Sequence, residues 1–268
     1  MNYKFLALDI DGTVTNSKKE ITPAVKAEIN RLQEAGIPVA LVSGRPAPGI
    51  KHVAAELDFH KYDCYVMAFN GGKVINSRTG EVMSNQTIPL DIAHEVCRVA
   101  LEYEVGVVTY NGDEIVSTRP DNKYTQLEGN ITKMPVRGVD DMVAELTYEP
   151  DKFLYVGEPE YLESILPEMQ ERFAGRLNIF RSEPFFMEIV PMGIDKAKSL
   201  DRLLTQLGLT SAELVACGDG FNDVSMVDYA GMGVAMDNAC AETKAVANFI
   251  APSCDEDGVA VAVRKFFG

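Results

Sequence analysis

The chain has 268 residues, 46% hydrophobic and 24% charged, ordinary for a globular protein and long enough for one large domain or two small ones. Its 25 Lys and Arg stand against 40 Asp and Glu, a formal net charge of -15. That balance argues against a sequence-independent hold on nucleic acid, which needs a basic surface, and obliges any anion site to gather positive charge locally. Five dispersed cysteines without a Cys-x-x-Cys, and three unclustered histidines, point to reduced thiols and away from zinc. No apolar run approaches the ~20 residues of a membrane span. The first strand begins almost at the N-terminus, leaving no room for a signal peptide, so a cytoplasmic protein is expected, without membrane or nucleic-acid partners.

In chain order, Phe5-Leu6-Ala7-Leu8 reads as a fully buried parallel strand running into Asp9-Ile10-Asp11-Gly12-Thr13. Thr22-Pro23 opens a helix with a capping hydroxyl and a first-turn proline; Val25, Ile29 and Leu32 recur at helical spacing, and Gly36 ends it. Pro38 to Val42 is a second strand, ending at Ser43-Gly44-Arg45, and a helix follows over Ile50 to Leu57. Tyr65 to Phe69 is a third strand, turned by Asn70-Gly71-Gly72 into a hairpin with Lys73-Val74-Ile75.

The texture changes near Met83. A helix from Pro89 to Glu104, a hairpin around Asn111-Gly112 and an illegible stretch to Pro150 come first. A strand at Phe153 to Val156, a helix from Pro159 to Phe173 and closing strands complete the segment. Helices alternating with hairpins suggest an inserted α+β domain over residues 85–185. The first texture then returns. Lys196 opens a helix with Leu200, Leu203, Leu204 and Leu207 on one face, and Leu214 to Cys217 runs into Gly218-Asp219-Gly220-Phe221-Asn222-Asp223. Gly233 to Met236 and Phe249-Ile250 are short strands before a final helix. The expected fold is α/β: a doubly wound, Rossmann-like parallel sheet core over 1–84 and 186–268, split by the cap at 85–185.

Open α/β sheets bind ligands at the carboxyl ends of their strands, where Asp9, Asp11, Ser43, Arg45, Asp219, Asn222 and Asp223 fall. Singly, each has an ordinary reading as a turn, cap or solvated charge, and Gly218-x-Gly220 lacks the third glycine of a dinucleotide fingerprint. Together they make chemical sense. Asp9, Asp11 and Asp219 side by side would repel by about 1–4 kcal/mol per pair, which a hard divalent cation such as Mg²⁺ relieves. Lys196, the Ser43 hydroxyl and backbone N–H groups near Ile10 and Gly44 would cradle a phosphate. A carboxylate is also a competent nucleophile toward phosphorus.

These stretches resemble the four motifs of haloacid dehalogenase superfamily phosphatases. The tail Gly233-Val234-Ala235-Met236-Asp237-Asn238-Ala239 and the placement of the insert resemble the Cof-type subfamily, which includes sugar-phosphate phosphatases. The resemblance implies Mg²⁺-dependent hydrolysis of small phosphate monoesters through an aspartyl phosphate. It makes Asp9 the nucleophile and a metal ligand, and Asp11 the general acid/base and a ligand through its carbonyl. Ile10, Ser43, Gly44, Lys196 and Asn222 would bind phosphate, Asp219 would hold the metal, and Asp223 would support it from behind. Ala197 stands where the family often has glycine. A phosphosugar mutase and a non-catalytic sugar-phosphate sensor are the alternatives; the substrate, the cap residues that touch it and the oligomeric state are not legible.

Overall fold

A computed structural model describes residues 3–268. The chain divides into two compact units: residues up to Ser84 together with Asp195–Gly268, and Asn85–Ile194 between them.

The first unit is built on an eight-stranded sheet. Its chain begins with β1 (Phe5–Leu8), α1 (Pro23–Glu34), β2 (Val39–Val42), α2 (Ala47–Glu56), β3 (Tyr65–Ala68), β4 (Lys73–Asn76) and β5 (Val82–Asn85). Within the second unit come α3 (Leu90–Ala100), β6 (Gly106–Asn111), β7 (Glu114–Ser117), α4 (Lys123–Thr132), β8 (Val136–Gly138), α5 (Met142–Glu145), β9 (Phe153–Val156), α6 (Pro159–Arg172), β10 (Leu177–Glu183) and β11 (Phe186–Pro191). The first unit resumes with α7 (Lys196–Gln206), β12 (Leu214–Gly218), α8 (Val224–Tyr229), β13 (Met232–Met236), α9 (Ala241–Val246), β14 (Phe249–Ala251) and α10 (Gly258–Phe267).

The larger sheet has the order β14-β13-β12-β1-β2-β3-β4-β5, parallel from β14 to β3 and antiparallel at the β3–β4 hairpin. β1, β2, β3 and β12 are buried along their whole length, as strands covered on both faces must be. Their register matters for function. Leu8 lies opposite both Cys217 and Leu41, so the residues that follow β1, β2 and β12 emerge together at one edge of the sheet. Two helices start where the sequence predicts, whereas α2 begins at Ala47, a turn before the expected Ile50. Thr22 caps α1, its hydroxyl accepting from the Val25 amide at 3.3 Å, with Pro23 as the first helical residue. Asp195 caps α7, accepting from the Lys198 amide at 3.0 Å, and buried Leu200, Leu203 and Leu204 fix that helix against Phe5, Val42 and Ala216.

The second unit has a six-stranded sheet of order β10-β11-β9-β6-β7-β8, largely antiparallel. Val107, Val116, Phe153, Tyr155, Met187 and Ile189 pack with Val96 of α3 and Leu162 and Met169 of α6 in its core. The expected end of the insert at residue 185 is too early. β11 pairs with β9 and β10, so the second unit runs to Ile194 and the first resumes only at Asp195. The illegible stretch before Pro150 holds α4, β8 and α5. The buried face of α4 is polar (Thr125, Glu128, Thr132), which hides the apolar periodicity, and Glu128 there accepts the Tyr110 hydroxyl at 2.6 Å. Among the described residues no helix is long and apolar enough to cross a membrane.

Candidate active site

Asp9 follows β1 directly and is 7% exposed. Its Oδ1 accepts from Lys196 Nζ at 2.7 Å; the same ammonium donates to Asp223 Oδ1 at 2.5 Å and to the Val42 carbonyl at 3.1 Å. One buried lysine, the first residue of α7, thus joins the ends of β1 and β2 to the loop after β12. Burial alone would lower the Lys196 pKa, but the charges of Asp223 and Asp9 outweigh it and hold the pKa above its ordinary value. For Asp9 the balance runs the other way. Burial, then Asp223 and Asp219, push its pKa to about 8 against the pull of Lys196.

Asp219 sits beside this pair. Its Oδ1 accepts from the Thr13 hydroxyl at 2.9 Å and its Oδ2 from Asn238 Nδ2 at 3.4 Å. Burial is the main cause that lifts its pKa to about 6. Gly12 has φ +81°, and a Cβ there would fall 2.4 Å from Asp219 Oδ2, so the turn after β1 needs glycine both for its conformation and for this close approach.

Carboxylate oxygens of Asp9, Asp219 and Asp223 lie within 4.8 Å of one another. Asp223 is already committed: Oδ1 takes Lys196, and Oδ2 accepts from the amides of Asp219 (3.0 Å) and Gly220 (2.9 Å). Asp9 and Asp219 therefore have the oxygen lone pairs to offer a cation. Their pKa values are raised first by burial and further by the charge of Asp223, a penalty on ionisation that a nearby positive charge would relieve. An all-oxygen donor set of this kind fits a hard divalent metal ion, completed by water or backbone oxygens.

Asp11 faces elsewhere. Arg45 donates to it through Nε (2.9 Å) and Nη2 (2.7 Å), and Lys19 adds a third bond at 2.8 Å. Burial works to raise its pKa, but the Arg45 charge and these bonds prevail and hold the carboxyl below its usual range. Its side chain is spoken for, so only its carbonyl is left to reach a metal. The carbonyl of Ile10 accepts from the Thr15 amide and hydroxyl at 2.9 and 3.0 Å, which leaves its amide as the group able to meet an anion. Ser43 is buried; its Oγ accepts from the Arg45 amide at 3.2 Å and keeps its proton to donate. Gly44 follows it, and Asn222 donates through Nδ2 to Asn70 Oδ1 at 3.0 Å.

All the residues singled out from the sequence thus lie on loops that leave one sheet edge, with Lys196 joining them from α7. Three participants were not anticipated. Asn70 looks like turn chemistry, Lys19 like a solvated charge, and Asn238, which also donates to the Gly12 carbonyl at 2.8 Å, like part of a tail motif. The Asn-Gly-Gly spelling of the β3–β4 turn and the tail motif around Asn238 carried signals, but hairpin geometry and the family resemblance accounted for them already.

The family described as haloacid dehalogenase-like hydrolase matches residues 6–263. A crystal structure of a haloacid dehalogenase-like hydrolase from Bacteroides thetaiotaomicron superposes with a TM-score of 0.96 at 41% identity, covering 99% of this chain and 100% of that one. YxeH of Bacillus subtilis, which carries a provisional phosphatase name, is 30% identical over 266 residues, 98% of each chain. The Bacillus subtilis protein named 5-amino-6-(5-phospho-D-ribitylamino)uracil phosphatase YcsE is 26% identical over 267 residues, 99% of this chain and 96% of its own. With its four motif stretches gathered at one sheet edge and the match spanning both parts of the first unit, the chain belongs to the haloacid dehalogenase-like hydrolase family.

Proposed function

We propose that this chain is a Mg²⁺-dependent phosphomonoesterase of the cytoplasm that acts on small sugar phosphates through an aspartyl phosphate on Asp9. The observation that carries the reading is the buried Lys196 ammonium set between Asp9 and Asp223, with Asp219 alongside. A binding module has no use for a carboxylate so crowded that burial opposes its charge; a nucleophile awaiting its substrate and counter-ion does. The name of the relative YcsE, which carries a phosphorylated ribityl group, supports the substrate class, and five unpaired cysteines support a reducing compartment.

Asp9 and Asp219 would hold the metal through carboxylate oxygens, with Asp11 contributing its carbonyl. Bound there, Mg²⁺ supplies positive charge that keeps Asp9 ionised and balances the phosphate. Lys196, the Ser43 hydroxyl, the amides of Ile10 and Gly44, and Asn222 orient the phosphoryl group. An Asp9 oxygen attacks phosphorus while the bond to the leaving oxygen breaks, and Asp11 delivers the proton that oxygen needs. Water then attacks the acyl phosphate, giving its proton to Asp11 and freeing Asp9 and inorganic phosphate. To act as the acid, Asp11 must first leave the ion pairs with Arg45 and Lys19.

The test is phosphate release from a panel of phosphorylated metabolites, with Mg²⁺ and after exhaustive chelation, alongside intact-protein mass after rapid quench. Metal-dependent release and a single added phosphoryl group that vanishes in Asp9→Asn are expected. Full activity after chelation refutes the metal assignment. Isomerisation of a phosphosugar without phosphate release would mark a mutase, and absence of any turnover a sensor.

A further inference from the structure

The turn between β3 and β4 holds three consecutive residues in the left-handed region: Phe69 (φ 53°), Asn70 (φ 56°) and Gly71 (φ 91°). Phe69 carries a side chain that disfavours it, and strained backbone of this kind persists only where its surroundings impose it. Here three motif-bearing elements impose it. The amide of Phe69 donates to the Arg45 carbonyl at 3.0 Å and that of Asn70 to the Ser43 carbonyl at 2.8 Å, tying the turn to the loop after β2. A Cβ on Gly71 would fall 2.5 Å from the Cβ of Ser199, so the turn also lies against the first turn of α7, which carries Lys196. The Asn70 side chain closes the arrangement: its Oδ1 accepts from Asn222, 152 positions away.

Asparagine is common in left-handed turns because its side chain bonds its own neighbourhood. Asn70 does not. Its carboxamide stands against Gly44, with Oδ1 and Nδ2 each 3.3 Å from where a Gly44 Cβ would be. With Oδ1 turned to Asn222, Nδ2 is presented as a donor beside the Gly44 backbone.

We propose that Asn70 is a further phosphoryl-binding residue, its Nδ2 donating to a substrate phosphoryl oxygen beside the Gly44 amide and the Ser43 hydroxyl. The Asn222 bond holds the carboxamide in that orientation, and the left-handed turn brings it there. This rests on the phosphatase reading above.

Two substitutions in the full chain separate ligand contact from turn-making. Asn70→Gly suits the backbone and removes the donor. Asn70→Asp tolerates the left-handed region and still accepts from Asn222, but turns a carboxylate toward the phosphate. The measurements are the inhibition constant for inorganic phosphate, and KM and kcat for p-nitrophenyl phosphate and a hexose phosphate, with Mg²⁺ present. A lost hydrogen bond to a charged partner predicts that Asn70→Gly raises the phosphate inhibition constant and KM by about tenfold, with a smaller fall in kcat. Asn70→Asp should be worse, on the order of a hundredfold. A residue that only makes the turn would leave the phosphate constant near wild type in both variants, because Gly and Asp each tolerate the left-handed backbone. Near-wild-type behaviour of Asn70→Asp, or an unchanged phosphate constant in Asn70→Gly, overturns the proposal. If Asn70→Asp does not fold, Asn70→Gly alone decides it. Failure of the wild-type chain itself to bind phosphate and hydrolyse any ester overturns the phosphatase reading, and this inference with it.

Discussion

The charge arrangement around Asp9 makes a stability prediction with a definite sign. An unfolded aspartate titrates near ~3.9, whereas burial, together with Asp223 and Asp219, places Asp9 at about 8. Between those values the folded protein holds a proton that the unfolded chain has released, so stability falls as pH rises. The fall amounts to at most ~1.4 kcal/mol per pH unit, or about 4 kcal/mol from pH 5 to pH 8. Asp9→Asn cannot ionise and loses that slope. It also leaves Lys196 facing Asp223 one to one in a buried site, where one ammonium had faced two carboxylates. In chelator at pH 8 the variant should therefore melt higher than wild type, by on the order of 10 °C, while at pH 5 the two converge. The assay is thermal and urea unfolding of both proteins across that range in EDTA. Added Mg²⁺ should then restore wild type by ~3 kcal/mol at a hundredfold excess over its dissociation constant and do little for the variant. Parallel pH profiles, or an Asp9→Asn protein less stable than wild type at pH 8 in chelator, would show that Asp9 is not held protonated against its neighbours.

Gly12→Ala places a methyl group 2.4 Å from Asp219 Oδ2 on a backbone of φ +81°, so it should cost about 1–3 kcal/mol and weaken Mg²⁺ affinity at least tenfold, read by thermal melting and metal titration. Lys196→Met strands two buried carboxylates and should cost about 3–5 kcal/mol at pH 8, less at pH 5, and abolish turnover; urea unfolding at both pH values checks it. Asp11→Asn keeps the nucleophile but removes the proton donor, so sugar phosphates should lose ~10²–10⁴-fold in rate while p-nitrophenyl phosphate, with its stable leaving group, shows a burst and slow turnover. Equal slowing of both leaving groups without a burst would refute that division of labour.

Much of the fold was legible because its signals are short-range. Four-residue apolar runs such as Phe5–Leu8 and Val39–Val42 have no polar face, which only a strand covered on both sides tolerates. Thr22-Pro23 likewise announces a helix from its own capping chemistry. The boundary error at 185 shows the limit of such reasoning. β11, Phe186–Pro191, is also buried throughout, and burial does not say which sheet a strand joins; only its ladders to β9 and β10 assign it to the second unit. The same limit applies at the site. Acidic residues at strand ends mark the catalytic edge, yet Arg45 meets Asp11 across 34 positions and Asn222 meets Asn70 across 152. No periodicity records a contact of that range.

The two carboxylates of the opening motif show what such contacts decide. Asp9 and Asp11 are the same residue type on one strand end, two positions apart, yet their environments push them in opposite directions. Asp9 is buried against other carboxylates, and burial and their charge together oppose its ionisation. Asp11 is held charged by a bidentate guanidinium and a lysine. Paired groups driven apart in this way are how one site divides nucleophile from proton carrier. The bond to Arg45 adds an order to the events. While it stands, Asp11 is an ionised carboxylate with no proton to give, so in the proposed mechanism the resting arrangement would suit the hydrolytic half of the cycle. On that mechanism the first half would require an anion able to draw Arg45 away, and an incoming phosphate ester would be such an anion.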